Sequence, residues 1–279
     1  MSTTTTNAQD RRFAGRNAIV TGASRGIGAA LAERLAAVGA NVLLVARTLD
    51  QHDRLPGSLR ETAARCAAHG VRVEPFVADL ASAESRAGIV PAALELFDGR
   101  VDICVNNAAA AMYASAIDYP AKRLRLTFEV NVYAPIELSQ QVVPGMRERG
   151  EGWIVNVSSA TARHLDGPPY ARAGQEMGVY GASKAALNRI TNAFAAELHG
   201  QGIRVNTIEP RAAVMSEGAA ALVGDRVTAE QIEPMEAMVE ATLALCDCEP
   251  DRTGATFVSL DLIEELGLTV RGLDGRPLA

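Results

Sequence analysis

The chain has 279 residues, is 48% hydrophobic but only 4% aromatic, and carries a formal net charge of −6. That length allows one or two domains with a substantial core. An acidic balance without a basic stripe argues against a nucleic-acid partner, and no apolar run reaches the roughly 18 residues that a membrane-spanning helix needs.

Met1–Arg12 is Thr-rich without an apolar centre, and reads as a disordered tail rather than a secretory signal. One folded unit is expected over residues 13–261, with a C-terminal tail over 262–279. Asn17–Thr21 is a short apolar run, the pattern of a buried strand. Gly22-Ala23-Ser24-Arg25-Gly26-Ile27-Gly28 follows, then an amphipathic helix over Ile27–Val38 stopped by Gly39, then a second apolar run, Asn41–Ala46. Strand, Gly-rich turn, helix and strand make a βαβ dinucleotide unit. Gly22 permits a sharp turn, Gly26 lets backbone approach a pyrophosphate, and Gly28 lets the helix pack on the sheet. Ser24, Arg25 and Ile27 complete the turn, and the helix N-terminus offers its N–H groups to phosphates.

The end of the second strand bears on which nucleotide fits. An NAD site places an acid there for the ribose 2′-OH. This chain has Ala46-Arg47, with Arg25 nearby in the turn, and two guanidiniums suit a 2′-phosphate. NADP(H) is therefore expected rather than NAD(H).

A long connection, Thr48–Arg60, contains Leu55-Pro56-Gly57. A helix over Ser58–His69, a strand over Val71–Val77 and Asp79-Leu80 come next. Asp79 is placed either to accept from an adenine amino group or to cap a helix. A helix near Ala83–Phe97 leads to a strand, Val101–Val105, and to Asn106-Asn107-Ala108-Ala109 at the carboxyl edge, where open α/β sheets bind ligands. A helical stretch over Ala121–Arg149 contains Asn131, unfavourable in an apolar run unless bonded. A strand, Trp153–Val157, ends in Ser158-Ser159, and a Gly/Pro-rich loop covers Ala160–Gly178. A helix carrying Tyr180 runs to about His199, and a strand, Ile203–Ile208, ends in Glu209-Pro210-Arg211. Ser216–Gln231 reads as a mobile loop with a short helix. A helix over Pro234–Leu245 and a strand over Ala255–Leu260 close the pattern. Seven strands alternating with helices give an α/β fold: one doubly wound parallel sheet with helices on both faces.

Tyr180 and Lys184 are four apart, so a helix sets them on one face, one turn apart. A nearby ammonium is expected to lower the phenol from its usual value of about 10 and make it a proton shuttle near neutrality. Of 27 basic residues only Lys122 and Lys184 are lysines. A chain that otherwise uses Arg has reason for a compact point charge at 184. Cys66, Cys104, Cys246 and Cys248 lack zinc-site spacing and read as reduced thiols of a cytoplasmic protein, with no metal expected.

Thr21-Gly-x₃-Gly-x-Gly28, Asn106-Asn107-Ala108, Asn131, Ser159 and Tyr180-x₃-Lys184 stand in order from about Arg16 to Leu260, and in this the chain resembles the short-chain dehydrogenase/reductase family. The resemblance implies a Rossmann fold and assigns roles. Tyr180 would be the acid/base. Lys184 would hold the nicotinamide ribose and lower the Tyr180 pKa. Ser159, chosen over Ser158 by alignment, would bond the substrate oxygen. Asn131 would anchor a water linking Lys184 to solvent. Asn107, Ala108, Ala109 and Pro210 would line the cofactor. Dimers or tetramers pairing the Ala121–Arg149 and Tyr180 helices are also implied.

Three features depart from the family pattern. Ala109 replaces a Gly, Ser159 and Tyr180 are 21 positions apart, and Pro210-Arg211 replaces Pro-Gly. Pro56-Gly57-Ser58-Leu59, Lys122-Arg123-Leu124 and Pro210-Arg211-x-Ala213-Val214 resemble the hydroxysteroid dehydrogenase-like subgroup. The implied activity is NADP(H)-dependent interconversion of a carbonyl and a secondary alcohol on an apolar or amphipathic small molecule. Met112, Tyr113, Leu165, Tyr170, Met177 and Met215, with Leu222, would wall the pocket. Arg163, His164, Arg172 and Arg211 would either meet a carboxylate or be solvated loop charge. Two alternatives stay open: a same-fold epimerase, dehydratase or lyase that retains its cofactor, and a redox-silent dinucleotide sensor.

Overall fold

Parallel strands covered on both faces need near-continuous apolar runs, and this chain supplies them. A computed structural model describes residues 11–51, 55–170, 175–223 and 227–278. Most of the expected N-terminal tail, and Arg172, lie outside the described residues. In chain order the strands are β1 (Asn17–Thr21), β2 (Asn41–Ala46), β3 (Val73–Val77), β4 (Ile103–Asn106), β5 (Gly152–Val157), β6 (Ile203–Glu209), β7 (Ala213–Val214), β8 (Ile232–Glu233) and β9 (Thr256–Val258). The helices are α1 (Gly26–Ala37), α2 (Leu59–Ala67), α3 (Ala83–Ala87), α4 (Ile89–Leu96), α5 (Ala121–Phe128), α6 (Ala134–Arg149), α7 (Gly178–Glu197), α8 (Glu217–Val223), α9 (Met235–Leu245) and α10 (Ser259–Leu266).

Seven strands form one parallel sheet in the order β3-β2-β1-β4-β5-β6-β9. Alternate residues of each strand face opposite cores. In β1, Ala18 and Val20 meet Leu31 and Leu35 of α1, with Met238 and Leu243 of α9 in the same core. Ile19 belongs to the other core, with Ile89 of α4, Leu138 and Met146 of α6 and Ala195 of α7. Each buried Leu or Ile contributes roughly 1.5–3 kcal/mol relative to exposure, so these two cores hold the strand ends in place while the loops beyond them stay irregular. β1 pairs with β2 on one side and β4 on the other. The chain changes direction across the sheet there, which opens a crevice beyond the carboxyl ends of β1 and β4.

The sequence pattern misplaced several boundaries, each for a local reason. The helix expected over 83–97 is two, α3 and α4, broken at Gly88. Pro91 has no N–H, and its ring would clash with the Ala87 carbonyl four residues back. The stretch expected over 121–149 is α5 and α6 joined by a π-helical turn, Glu129–Tyr133. Pro135 cannot donate to the Asn131 carbonyl, so the ladder widens at that point. β7 and β8 form a separate parallel pair, too short to show a period in the sequence.

The last strand was expected to reach Leu260, but it stops at Val258. Ser259 turns inward, its hydroxyl donating to the buried Glu233 carboxylate, and α10 begins there. The expected tail from 262 therefore starts inside a helix. Leu262 is buried in the core, and α10 ends at Gly267, whose φ of 59° is the left-handed C-terminal stop that favours glycine. Arg271 and Pro277 form an antiparallel bridge beyond it. No described helix is long and apolar enough to cross a membrane.

Candidate active site

The Gly-rich turn leaves β1 with Gly22 at φ 69° and Gly26 at φ 57°, conformations that side chains resist. A Cβ on Gly22 would stand 2.8 Å from the Ala108 Cα, and one on Gly28 2.3 Å from Asn107 Nδ2 and 2.4 Å from the Gly22 carbonyl. The missing side chains let the ends of β1 and β4 close on each other. Thr21 Oγ1 accepts from the amides of Asn107 at 3.0 Å and Ala108 at 3.1 Å, while Asn107 Nδ2 donates to the Thr21 carbonyl at 2.9 Å. α1 starts at Gly26, and the preceding Arg25 side chain gives it no cap. A tight glycine cradle below a helix start that its own N-cap residue leaves uncapped fits a dinucleotide's phosphates.

Arg25 donates from Nε to the Pro56 carbonyl at 2.8 Å and from Nη2 to the Gly57 carbonyl at 3.0 Å, which pins the 55–58 connection over the turn. Burial lowers the Arg25 pKa, Glu217 opposes that, and the charge of Arg47 adds to it. Arg47 is exposed at the end of β2. Two guanidiniums thus share one rim of the turn. Asp79 does not cap a helix: its Oδ1 accepts from the Ala81 amide at 3.0 Å, and Ser82 caps α3. Ser24, Leu80 and Pro210 are buried, and Ala109 is exposed.

Tyr180 and Lys184 lie in the first two turns of α7. Lys184 is only 2% exposed. Its Nζ donates to the Val157 carbonyl at 2.7 Å and lies 5.8 Å from the Tyr180 ring centroid. Burial brings the Lys184 ammonium down to about 8. Burial also raises the Tyr180 phenol above its ordinary value, with a further rise from Tyr113 and an opposing hydrogen bond to Ser159. The expectation that the ammonium would lower the phenol is corrected here. The amine is turned onto a carbonyl at the end of β5, and desolvation is the largest influence on the phenol.

Ser159 begins a 3-10 turn, Ala160–Ala162, and accepts from the Thr161 amide at 3.2 Å and the Thr161 hydroxyl at 2.9 Å. The chain brings this hydroxyl to Tyr180. Ser158 Oγ is buried with no partner among the described residues. Gly181 was missed in the sequence. A Cβ there would stand 2.3 Å from the Thr161 carbonyl, so glycine next to Tyr180 lets the Ser159 turn lie on α7. A glycine inside a helix-forming run was the available signal.

Asn131 is fully buried in the π turn. Its Oδ1 accepts from the Ala110 amide at 2.8 Å, and its Nδ2 donates to the Ala110 carbonyl at 3.0 Å and to Ser183 Oγ at 3.0 Å. This amide fastens the chain beyond β4 to α7. Both of its N–H groups are used inside the protein, so neither is left to anchor a water. The main-chain carbonyl of Asn131, which Pro135 denies its usual donor, is the better candidate for that role.

The proposed pocket wall is brought together in part. The Tyr113 ring meets Tyr180 edge-on, with centroids 5.8 Å apart at 63°. Met112, Met177 and Met215 are half-buried. Leu165 and Tyr170 are 54% and 56% exposed and so make little wall of any kind. Arg163 donates to Glu209 at 2.7 Å and Arg211 to Asp261 at 2.5 Å, so both cations are already engaged. A cavity of about 580 Å³ opens at the amino edge of the sheet among Arg147, His199, Gln201 and Arg204, and holds none of the residues above. All four cysteines are buried and unpaired. Among the described residues no group of three or more His, Cys, Asp or Glu side chains is placed to hold a metal.

Comparison with known proteins matches residues 16–226 to the short chain dehydrogenase family. The L-xylulose reductase of Bos taurus is 33% identical over 261 residues, covering 90% of this chain and 97% of its own length. Hydroxysteroid dehydrogenase-like protein 2 of Bos taurus is 28% identical over 257 residues and 92% of this chain, which spans 59% of that relative's length. A short chain dehydrogenase from Burkholderia cenocepacia J2315, solved in complex with NADP, has 30% identity and a TM-score of 0.74, over 88% of this chain and 97% of that one.

Proposed function

The chain belongs to the short-chain dehydrogenase family of oxidoreductases, and on that premise we propose that it interconverts a carbonyl and a secondary alcohol on an apolar or amphipathic small molecule with NADP(H). The observation that carries this reading is the meeting of Tyr180 and Lys184, both on α7, with Ser159 from the turn beyond β5. The cofactor would be held by Gly22, Ser24, Arg25, Gly26, Ile27 and Gly28 at its phosphates, Asp79 and Leu80 at its base, and Asn107, Ala108, Ala109, Pro210 and Lys184 toward the nicotinamide. When bound, a nicotinamide supplies or accepts the hydride.

The chain's own residues manage the proton and the charge. Ser159 Oγ holds the substrate oxygen within reach of the Tyr180 hydroxyl. Burial keeps Tyr180 a phenol at neutral pH, so it acts first as an acid and gives its proton to a carbonyl oxygen. The phenolate left behind is offset by the Lys184 ammonium one turn along α7. The Asn131 amide keeps α7 and the chain at Ala110 in register while this happens. Tyr113 covers the phenol from the side and keeps water from it.

A homodimer or homotetramer in the cytoplasm belongs to the same reading, as does one folded unit that starts near residue 13 and takes in α10. Leu124 and Tyr133, 40% and 53% exposed, leave apolar surface along the stretch expected to pair. The test is a panel of ketones, ketoses and secondary alcohols assayed with NADPH and NADH side by side. Turnover of at least one pair with NADPH is expected. Cofactor binding without turnover anywhere on the panel would sink the oxidoreductase reading.

Arg47 gives a sharper check on cofactor choice. Losing a charge-assisted contact to a 2′-phosphate costs about 1.5–3 kcal/mol, or roughly 10–100-fold in affinity. Arg47→Gln should therefore weaken NADPH binding by about that factor and leave NADH within about twofold. Equal losses for both cofactors, measured by fluorescence titration, would remove Arg47 from phosphate recognition.

A further inference from the structure

We propose that Glu217 closes the dinucleotide turn with its carboxylate, competes with the cofactor's phosphates there, and so sets cofactor affinity; this rests on the dinucleotide-binding reading above. The Gly26 amide is the first N–H of α1, one of the donors a helix leaves unsatisfied. It donates to Glu217 Oε2 at 3.0 Å, from a residue 191 positions away. The Glu217 charge also acts on the Arg25 guanidinium beside it. A helix start and a guanidinium together make an anion seat, and here a side chain of the same chain sits in it.

The contact is close along its length. A Cβ on Gly26 would come within 3.0 Å of the Ser216 Cβ and 3.7 Å of Glu217 Oε2. A pyrophosphate approaching the Gly26 amide must therefore move Glu217 first. The segment is built to yield. Glu217 is exposed, and α8 lies between two strands of only two residues each, β7 and β8. Ser216 stabilises the segment locally, its hydroxyl accepting from the Ala219 amide at 3.2 Å and its carbonyl from the Ala220 amide at 2.8 Å. Met215, Ser216 and Glu217 belong to neither core, so this stretch can swing while Val214 and Glu233 on either side of α8 stay fixed. Met215 moves with it, so filling the cofactor site also repositions one wall of the substrate pocket.

The experiment is NADPH titration of the whole protein at fixed ionic strength, comparing wild type with Glu217→Gln and Glu230→Gln. Glu230 lies in the same connection, in the turn Ala229–Gln231, and the second variant makes the same change in net charge away from the Gly-rich turn. Glu217→Gln should bind NADPH about three- to tenfold more tightly, and Glu230→Gln should match wild type within about twofold. Equal or weaker binding by Glu217→Gln, with wild type binding normally, overturns the competition. Equal tightening by both variants overturns it as well, since net charge alone would then suffice. No binding by any of the three, with native circular dichroism, overturns the dinucleotide reading itself.

Discussion

Replacing Tyr180 by Phe should lower turnover of any carbonyl that the parent reduces by roughly 10²–10⁴-fold, the range for losing a positioned general acid. NADPH affinity should stay within about twofold. The substitution removes one oxygen and keeps the ring, so the edge-on packing against Tyr113 survives. Ser159 retains both of its Thr161 partners and need not collapse into the gap. Stability should therefore change little, and a fall in rate reports on the proton. Single-turnover kinetics beside a cofactor titration separate the two effects. Turnover within about fivefold of the parent would mean that the proton comes from another group, and the reading of this edge of the sheet as a reductase site would fail with it.

Lys184→Met should cost roughly 10²–10³-fold in kcat/KM, since the developing phenolate loses its counter-charge in a desolvated place. The same variant should show a distinctive dependence of stability on pH. In the folded protein the ammonium titrates at about 8, against 10.5 for an ordinary lysine. Below pH 8 both states hold the proton and the folded state carries the full burial penalty. Between pH 8 and 10.5 the folded amine releases its proton first, the unfolded state binds more protons, and stability rises with pH. From pH 8 to 9.5 the wild type should gain about 1.6 kcal/mol relative to the variant, because the folded amine is already half deprotonated at pH 8. The Tyr180 phenol, raised by burial, stays protonated throughout that window. Urea midpoints of both proteins at pH 7, 8 and 9.5 make the comparison. A difference that stays flat across those pH values would show that the amine is not buried with its charge.

The sheet was legible because its strands are the simplest kind to read. β1, β2 and β5 are mostly apolar runs, and a strand covered on both sides shows no competing polar alternation. The Gly-rich turn was legible because its spacing encodes backbone geometry, and the φ values at Gly22 and Gly26 are those that glycine alone adopts at little cost. Pro91 and Pro135 were visible too. Strong helical periodicity on either side hid their effect, although each has an identifiable carbonyl four residues back. Leu262 and Leu266 lie on one face of α10, a helical signal that the expectation of a last strand obscured. Other features leave no local trace. The contact of Glu217 with Gly26 joins positions 191 apart, and nothing near either residue announces it. The direction of the Tyr180 shift depends on how deeply the ring sits, whereas spacing on a helix gives only who its neighbours are.

The brace at Asn131 divides the molecule by how readily it tolerates change. Proton-handling groups are positioned through main chain gripped from two directions, so they behave as fixed tooling. Leu165, Met177 and Met215, by contrast, belong to neither core, although Arg163 and Arg211 tie down the connections that carry them. On the proposed reading, substrate choice can thus be retuned at these positions and at Met112 while the proton-handling groups are inherited.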